Sequence, residues 1–288
     1  RMKAKSSMRW ILPAVFLGIV ILAFCINLFK NQNVYVTEYA YCATSVPEEF
    51  DGYRIAVISD MHNSKYAPKV TALLDRVQAD CIVFLGDMMQ LPDTDISRVC
   101  DVIAAEKDRS LIYAVFGNHE ASCGYAARKE LSRQLTKSGA VVLLNKAAEI
   151  KRGGKTVRLI GIEDTGDAAV DDAKVQEIRD TVQKQARDGQ CNILLYHRAD
   201  LYPKLKDLPV SLILSGHLHG GVVRLPYFGG VIGDAGKTLF PPYTEGVYQE
   251  GEDAAAMIVS RGCDYNPSKM RIGNPPEIPV ITLYTEKE

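Results

Sequence analysis

The chain of 288 residues contains five histidines, and each stands just after a short apolar run. Asp60 and His62 follow residues 55–58, and Gly86 and Asp87 follow residues 81–85. Gly117, Asn118, His119 and Glu120 follow residues 111–116. His197 follows residues 193–196, and Gly216, His217 and His219 follow residues 212–214. In Asp-x-His and His-x-His pairs, residues two apart in an extended segment project to one side, so both reach one site. The donors are carboxylates, an amide oxygen and imidazoles. That mixture suits borderline transition metals better than calcium or magnesium, and it is too rich for one tetrahedral centre. Two ions sharing a carboxylate would use all of it, an arrangement suited to hydrolysing phosphate esters. Taken singly, each piece has a blander explanation. Asp-x-His pairs are common by chance, Gly86-Asp87 suits an ordinary turn, and an isolated histidine is usually a hydrogen-bonded core residue. The ordered set is what points to a metal centre.

The elements that must position these donors are legible around them. The runs at 55–58, 81–85, 111–116, 159–162, 193–196 and 212–214 are short, and most are rich in β-branched or aromatic residues, the pattern of fully buried strands. Between several of them lie helical periods at 70–79, 96–105, 127–137 and 171–187; in the first, Val70, Leu73, Leu74 and Val77 share a face. Such alternation predicts a layered α/β domain. In open α/β sheets, ligands bind outside the carboxyl ends of the strands, where all five donor groups would sit. Residues 31–50 form a linker and a strand leading into the domain. Beyond Gly220, glycine and proline become frequent and predict loops and short strands, with closing strands at 256–262 and 278–284. Within those loops, Leu225, Tyr227, Phe228, Leu239, Phe240 and Tyr243 are expected to be core residues beneath a long loop, in preference to a lip that meets lipid.

Composition sets the wider bounds. Apolar residues make up 47% and charged residues 24%, ordinary for a globular domain. The formal net charge of −1 provides no global basic field, so no nucleic-acid partner is expected. The seven cysteines are odd in number and include no CxxC pair, which argues against a disulfide framework or a zinc knuckle. Residues 10–29 carry no charge, and at about 1.5 Å per residue they span the roughly 30 Å hydrocarbon layer. Arg1, Lys3, Lys5 and Arg9 precede this run, whereas only Lys30 follows it before Arg54. The asymmetry predicts a single-pass membrane protein with residues 1–9 cytoplasmic, an anchor at 10–30 and a catalytic domain at 51–288 on the far side. A cleaved signal peptide would have a shorter apolar core and a small-residue cleavage site, which Leu28-Phe29-Lys30 does not supply.

The ordered motifs Asp60-Met61-His62, Gly86-Asp87, Gly117-Asn118-His119-Glu120, Tyr196-His197 and Gly216-His217-Leu218-His219 resemble those of the calcineurin-like metallophosphoesterase family. The resemblance runs from about Asp51 to the C-terminus. The anchor and the segments 243–248 and 260–262 are similar to its bacterial membrane-linked phosphodiesterase branch. It implies a four-layer α-β-β-α sandwich and two divalent metal ions (manganese, iron or zinc). It also implies ligand sets: Asp60, His62 and His219 for one ion, Asn118, His197 and His217 for the other, and Asp87 between them. His119 would contact the phosphoryl group and assist the leaving oxygen, after attack by hydroxide generated between the ions. The implied substrate is a phosphodiester or pyrophosphate of a lipid or cell-envelope metabolite; a catalytically idle scaffold for a phosphorylated ligand is the alternative. Three departures stand out. Gln90 occupies a position where many relatives carry a second acid, Asn63 and Ser64 replace a common glycine, and no Asp-Arg-Gly run of the Ser/Thr protein phosphatases is present.

Overall fold

A computed structural model describes residues 4–166, 170–233, 238–264 and 271–286. Arg1 and Lys3 of the basic N-terminus lie outside the described residues. Helix α1 (Ala4–Asn31) leads into β1 (Tyr35–Ala43), β2 (Arg54–Ile58), α2 (Ala67–Val77), β3 (Cys81–Phe84), α3 (Ser97–Glu106), β4 (Leu111–Ala114), α4 (Asn118–Ser122), α5 (Tyr125–Ser138) and β5 (Val141–Val142). The second half runs through β6 (Lys146–Arg152), β7 (Lys155–Gly161), α6 (Asp172–Gln185), β8 (Cys191–Arg198), α7 (Tyr202–Leu205) and β9 (Leu212–Gly216). Two small hairpins follow, β10 (Arg224–Leu225) with β11 (Gly229–Gly230) and β12 (Ile232–Gly233) with β13 (Thr238–Leu239). Strands β14 (Gly246–Tyr248), β15 (Ala256–Val259) and β16 (Glu277–Thr285) complete the chain.

The strands form two six-stranded mixed sheets, in the orders β1-β16-β2-β3-β4-β5 and β14-β15-β9-β8-β7-β6. The pleat sends alternate residues to opposite faces. Ile55 and Val57 of β2 face Leu159, Ile193, Leu195 and Leu214 of the other sheet. Ala56 and Ile58 turn the other way, onto Val70 and Leu74 of α2, Val99 and Ile103 of α3 and Leu135 of α5. On the far side, Ile160, Leu194 and Ile213 pack on Ile178 and Val182 of α6 and Leu205 of α7. Three apolar interfaces thus separate four layers, α-β-β-α, the architecture expected from the sequence.

Differences from the sequence reading have local causes. The strand after the linker runs to Ala43, because all nine of its residues pair in parallel with β16. Helix α2 starts at Ala67, with Pro68 in its first turn where a missing N–H costs nothing, and it stops where Gln78 turns left-handed. Strand β6 was not anticipated: it is an edge strand, KAAEIKR, with only Ile150 buried, and its charges suit an edge. The first closing strand, expected at 256–262, ends at Val259, after which the chain bends toward β2 and Cys263 donates its N–H to Ser59 O at 3.0 Å.

The loop aromatics are a correction. Tyr227 is 104% exposed, Phe228 73%, Leu239 70%, Phe240 59% and Leu225 45%. The β10–β13 strands are two residues long and include three glycines, and among the described residues these five side chains stay exposed. Only Tyr243 of the six is packed as expected, ring against ring with Tyr202 and Tyr248.

Trp10–Asn31 is long and apolar enough to cross a membrane, with mean hydropathy 2.7 and none of it buried by the rest of the chain. At 1.5 Å per residue it is about 33 Å long. Its last turn is tied to the domain. Asn27 Nδ2 donates to Arg271 O at 2.9 Å, Asn27 Oδ1 accepts from Gly273 N–H at 2.8 Å, and Tyr66 Oη donates to Asn31 O at 2.6 Å.

Candidate metal centre

The carboxyl ends of β2, β3 and β4 in one sheet and of β8 and β9 in the other open on a single edge. Asp60, His62, Asp87 and His219 each offer one ligand atom there, all within 4.8 Å of one another. Asp87, His197 and His217 do the same, so Asp87 is common to both groups. His197 Nε2 lies 3.3 Å from Asp87 Oδ2 and 3.8 Å from Asp60 Oδ1, while His219 Nε2 lies 3.5 Å from Asp60 Oδ1. His62 Nε2 is 4.0 Å from Asp87 Oδ2. Asn118, the expected amide ligand, is buried as the first residue of α4. Beside it, the His119 N–H donates to Asp87 Oδ1 at 3.1 Å.

Backbone carbonyls set which ring nitrogen faces the centre. His62 Nδ1 donates to Met89 O at 2.9 Å, and His197 Nδ1 donates to Leu85 O at 2.7 Å. In a neutral ring each then presents the Nε2 lone pair inward, toward carboxylate oxygens. Lone pairs facing anionic oxygens repel unless a cation lies between them. Asp60 Oδ1, His197 Nε2 and His217 Nδ1 are fully buried and form no hydrogen bond. Buried polar atoms without partners are costly, and here they converge on one point. The donor set therefore fits divalent metal ions.

Holding the donors there strains the chain. Asp60, His62, Asp87, His217 and His219 have φ of 51°, 46°, 50°, 76° and 48°, left-handed conformations that cost on the order of 1 kcal/mol or more each. Two glycines make the close approach possible. A methyl group on Gly216 would lie 2.7 Å from Asp60 Oδ2, and one on Gly117 would lie 2.6 Å from Asp87 N.

The charges are strongly interdependent. Burial opposes ionisation of Asp87, but His197, His62 and His119 outweigh it and hold the carboxyl well below its usual range. Burial also opposes ionisation of Asp60, and His219 and His197 draw it down. On His197 burial disfavours the cation, yet Asp87 and Asp60 push it up to about 10. Burial, reinforced by the neighbouring His197, presses His217 down to about 3.

Residues 53–221 match the calcineurin-like phosphoesterase family. The chain belongs to this family. A Bacillus subtilis relative, the uncharacterized metallophosphoesterase YkuE, is 31% identical over 268 residues, covering 88% of this chain and 87% of its own. The phosphodiesterase YaeI of Escherichia coli is 26% identical over 62% of this chain and 64% of itself. Among solved structures, a dimetal phosphatase from Danio rerio aligns with a TM-score of 0.43 and 12% identity, over 74% of this chain and 88% of that one. The chain is accordingly a metal-dependent phosphoester hydrolase.

Within this calcineurin-like phosphoesterase, His119 is held by an unexpected group. Gln90 does not bond the imidazole; its Nε2 donates to Leu91 O at 3.4 Å. Instead the Leu91 N–H donates to His119 Nδ1 at 3.2 Å. An acceptor Nδ1 places the proton of a neutral ring on Nε2, which lies 3.8 Å from Asp87 Oδ2. The His119 side chain is 18% exposed, against 6% for His62, 13% for His219 and 0% for His197, so it is the histidine most open to an incoming molecule.

Three supporting residues had been given no role from the sequence. Glu120, seen only as part of a motif, accepts from the N–H groups of Asp87 (2.8 Å), Met88 (2.7 Å), Met89 (3.0 Å) and Gly117 (2.9 Å). It clamps the turn that carries Asp87 against the turn that carries Asn118. Burial and the nearby Asp87 push Glu120 up to about 7, while the Met89 and Gly117 amides pull the other way. Asp264 is buried, ion-paired with Arg271 and 3.5 Å from His219 Nδ1, so it orients that ring. Ser59 Oγ donates to Asp60 Oδ2 at 2.5 Å.

Proposed function

We propose that this chain hydrolyses a phosphodiester or pyrophosphate of a lipid or cell-envelope metabolite, from a membrane in which residues 10–30 anchor it with the catalytic domain outside the cytoplasm. The carrying observation is the carboxylate of Asp87, shared by two groups of donors in each of which one histidine, His62 or His197, is turned inward by a backbone carbonyl. Asp60, His62 and His219 would hold one divalent cation and Asn118, His197 and His217 the other, with Asp87 between them. The mixed oxygen and imidazole donors accept manganese, iron or zinc. When bound, the cations supply Lewis-acid polarisation of the phosphoryl group and acidification of water.

The protein's own groups do the rest. The two aspartates leave the site with fewer negative charges than two divalent cations carry, which favours an anionic phosphoester. His119, accessible and with its neutral-state proton on Nε2, donates a hydrogen bond to the leaving oxygen and stabilises its developing charge, worth ~10²–10³-fold for one such donor. Purified full-length protein, depleted of metal and reloaded, tests this on bis(4-nitrophenyl) phosphate, a nitrophenyl monoester and a pyrophosphate. Metal-dependent release from the diester or pyrophosphate supports the reading. Metal-loaded protein inert toward all three would replace it with a scaffold that binds a phosphorylated ligand.

A further inference from the structure

We propose that the β10–β13 hairpins and the segment 271–273 seat the catalytic domain on the same bilayer that holds α1, so that the metal centre works at the level of lipid headgroups. The inference deepens the phosphoesterase reading by assigning a membrane-borne substrate, and it rests on that reading and on α1 lying in the membrane.

The last turn of the apolar helix carries two amides, Asn27 and Asn31, four residues apart and so on one face. A primary amide in hydrocarbon needs a partner. Asn27 finds one on each side of Ile272, donating to Arg271 O and accepting from Gly273 N–H, and Asn31 also donates to Arg271 O. Asn27 lies about 6 Å, four residues at 1.5 Å, inside the end of the helix. The 271–273 segment therefore reaches down to the last turn of the span.

That segment is also the foundation of the hairpins. The Arg224 N–H donates to Ile272 O at 2.8 Å, and the Ile272 N–H donates to Val222 O at 3.2 Å. The second hairpin rides on the first, through Val231 N–H to Val223 O at 2.7 Å and Phe240 N–H to Val231 O at 2.8 Å. Phe228 is four residues from Arg224, so its backbone stays within about 13 Å of the hairpin base even if fully extended. The exposed side chains of Tyr227, Phe228, Leu239 and Phe240 are thus tethered beside the membrane end of α1. Exposed apolar clusters mark interaction surfaces, and aromatic rings favour the membrane–water interface. Continuity with the anchoring helix selects the bilayer as the occupant.

The same segment touches the centre. Arg271 pairs with Asp264, and Asp264 lies 3.5 Å from His219 Nδ1. Arg224 Nη1 donates to Gly220 O at 2.8 Å, in the turn that begins at His219. Two side chains therefore separate the membrane helix from a metal-ligand candidate, a span that suits a phosphoester at the bilayer surface.

The test uses full-length protein reconstituted into phosphatidylglycerol vesicles, with Trp10→Phe removing the native indole. Phe228→Trp reports on the hairpin and Tyr125→Trp, at an exposed site on α5, is the control. Lipids brominated on their acyl chains should quench the Trp introduced at position 228 at least two-fold and leave the control unchanged. Equal quenching at the two positions, or none at position 228, overturns the proposal whatever the enzyme hydrolyses. A second arm compares soluble bis(4-nitrophenyl) phosphate with a diacylglycerol 4-nitrophenyl phosphodiester held in the vesicles. Combined Tyr227→Ser, Phe228→Ser and Phe240→Ser should slow lipid hydrolysis at least ten-fold and soluble hydrolysis less than two-fold. Equal effects on both substrates would also overturn it. Failure of the wild type on both substrates counts against the phosphoesterase reading, while the quenching result still decides the docking.

Discussion

Glu120→Gln tests how the centre is built. Each carboxylate oxygen of Glu120 accepts two backbone N–H groups: Oε1 from Met88 and Met89, Oε2 from Asp87 and Gly117. A glutamine has one acceptor oxygen, so its NH₂ must face two N–H donors whichever way the amide is turned. Two buried donors are then left unsatisfied, at about 1–3 kcal/mol each, or roughly 2–6 kcal/mol in all. At about 2–4 °C per kcal/mol for a domain of this size, the melting temperature of the metal-free protein should fall by at least about 4 °C. The same substitution frees the turn that holds Asp87 at φ 50°, so metal affinity should fall with it. Thermal unfolding of the full-length protein in detergent, with and without added manganese, reads both effects. A variant that melts within one or two degrees of wild type and loads metal equally well would refute the clamp.

Other outcomes follow from the same geometry. His119→Ala should keep full metal content while turnover of a nitrophenyl diester falls on the order of 10²–10³-fold; metal loss, or undiminished turnover, would remove His119 from its role. Gly216→Ala, which sets a methyl against Asp60 Oδ2, should abolish metal loading as measured by elemental analysis, and a fully loaded variant would show that the close approach is dispensable. For pH, His217 is pressed down to about 3 in the folded chain, so an unfolded chain takes up a proton near pH 6.5 that the native site refuses. Its contribution to stability is intact above about pH 6.5 and is lost as pH falls toward 3, by about 1.4 kcal/mol per pH unit. His197, pushed up to about 10, has the opposite sign and loses its contribution only as pH rises above about 6.5, so it does not cancel the acid effect. Urea unfolding of metal-free His217→Gln should show a visibly flatter decline between pH 6.5 and 4, and an unchanged slope would contradict this assignment.

What could be read from sequence was whatever a side chain announces by type and position. His62, His119, His217 and His219 stand just past buried parallel strands and His197 in the last residues of β8, and the parallel order of β2, β3, β4, β8 and β9 brings those ends together. The unbroken apolar run from Ile55 to Ile58 sufficed for a strand buried on both faces. Glu120 stayed silent because all four of its partners are backbone amides, which carry no sequence signature. Asp264 stayed silent because only the pairing of β15 and β16 into different sheets carries the intervening segment past β2, where Cys263 bonds Ser59 O. The support for His119 came from the Leu91 amide, again invisible in residue types. Tyr227, Phe228 and Phe240 misled because an exposed lip and a buried core use the same residues, and only their exposure among the described residues tells them apart.

The central claim is that Asp87 is shared by two cations. Elemental analysis of full-length protein, dialysed after loading with manganese or zinc, addresses it directly when wild type and Asp87→Asn are measured side by side. The account predicts about two metal equivalents per chain in the wild type and less than one in the variant. Wild-type protein that retains no metal, or a variant that retains as much as wild type, would contradict it.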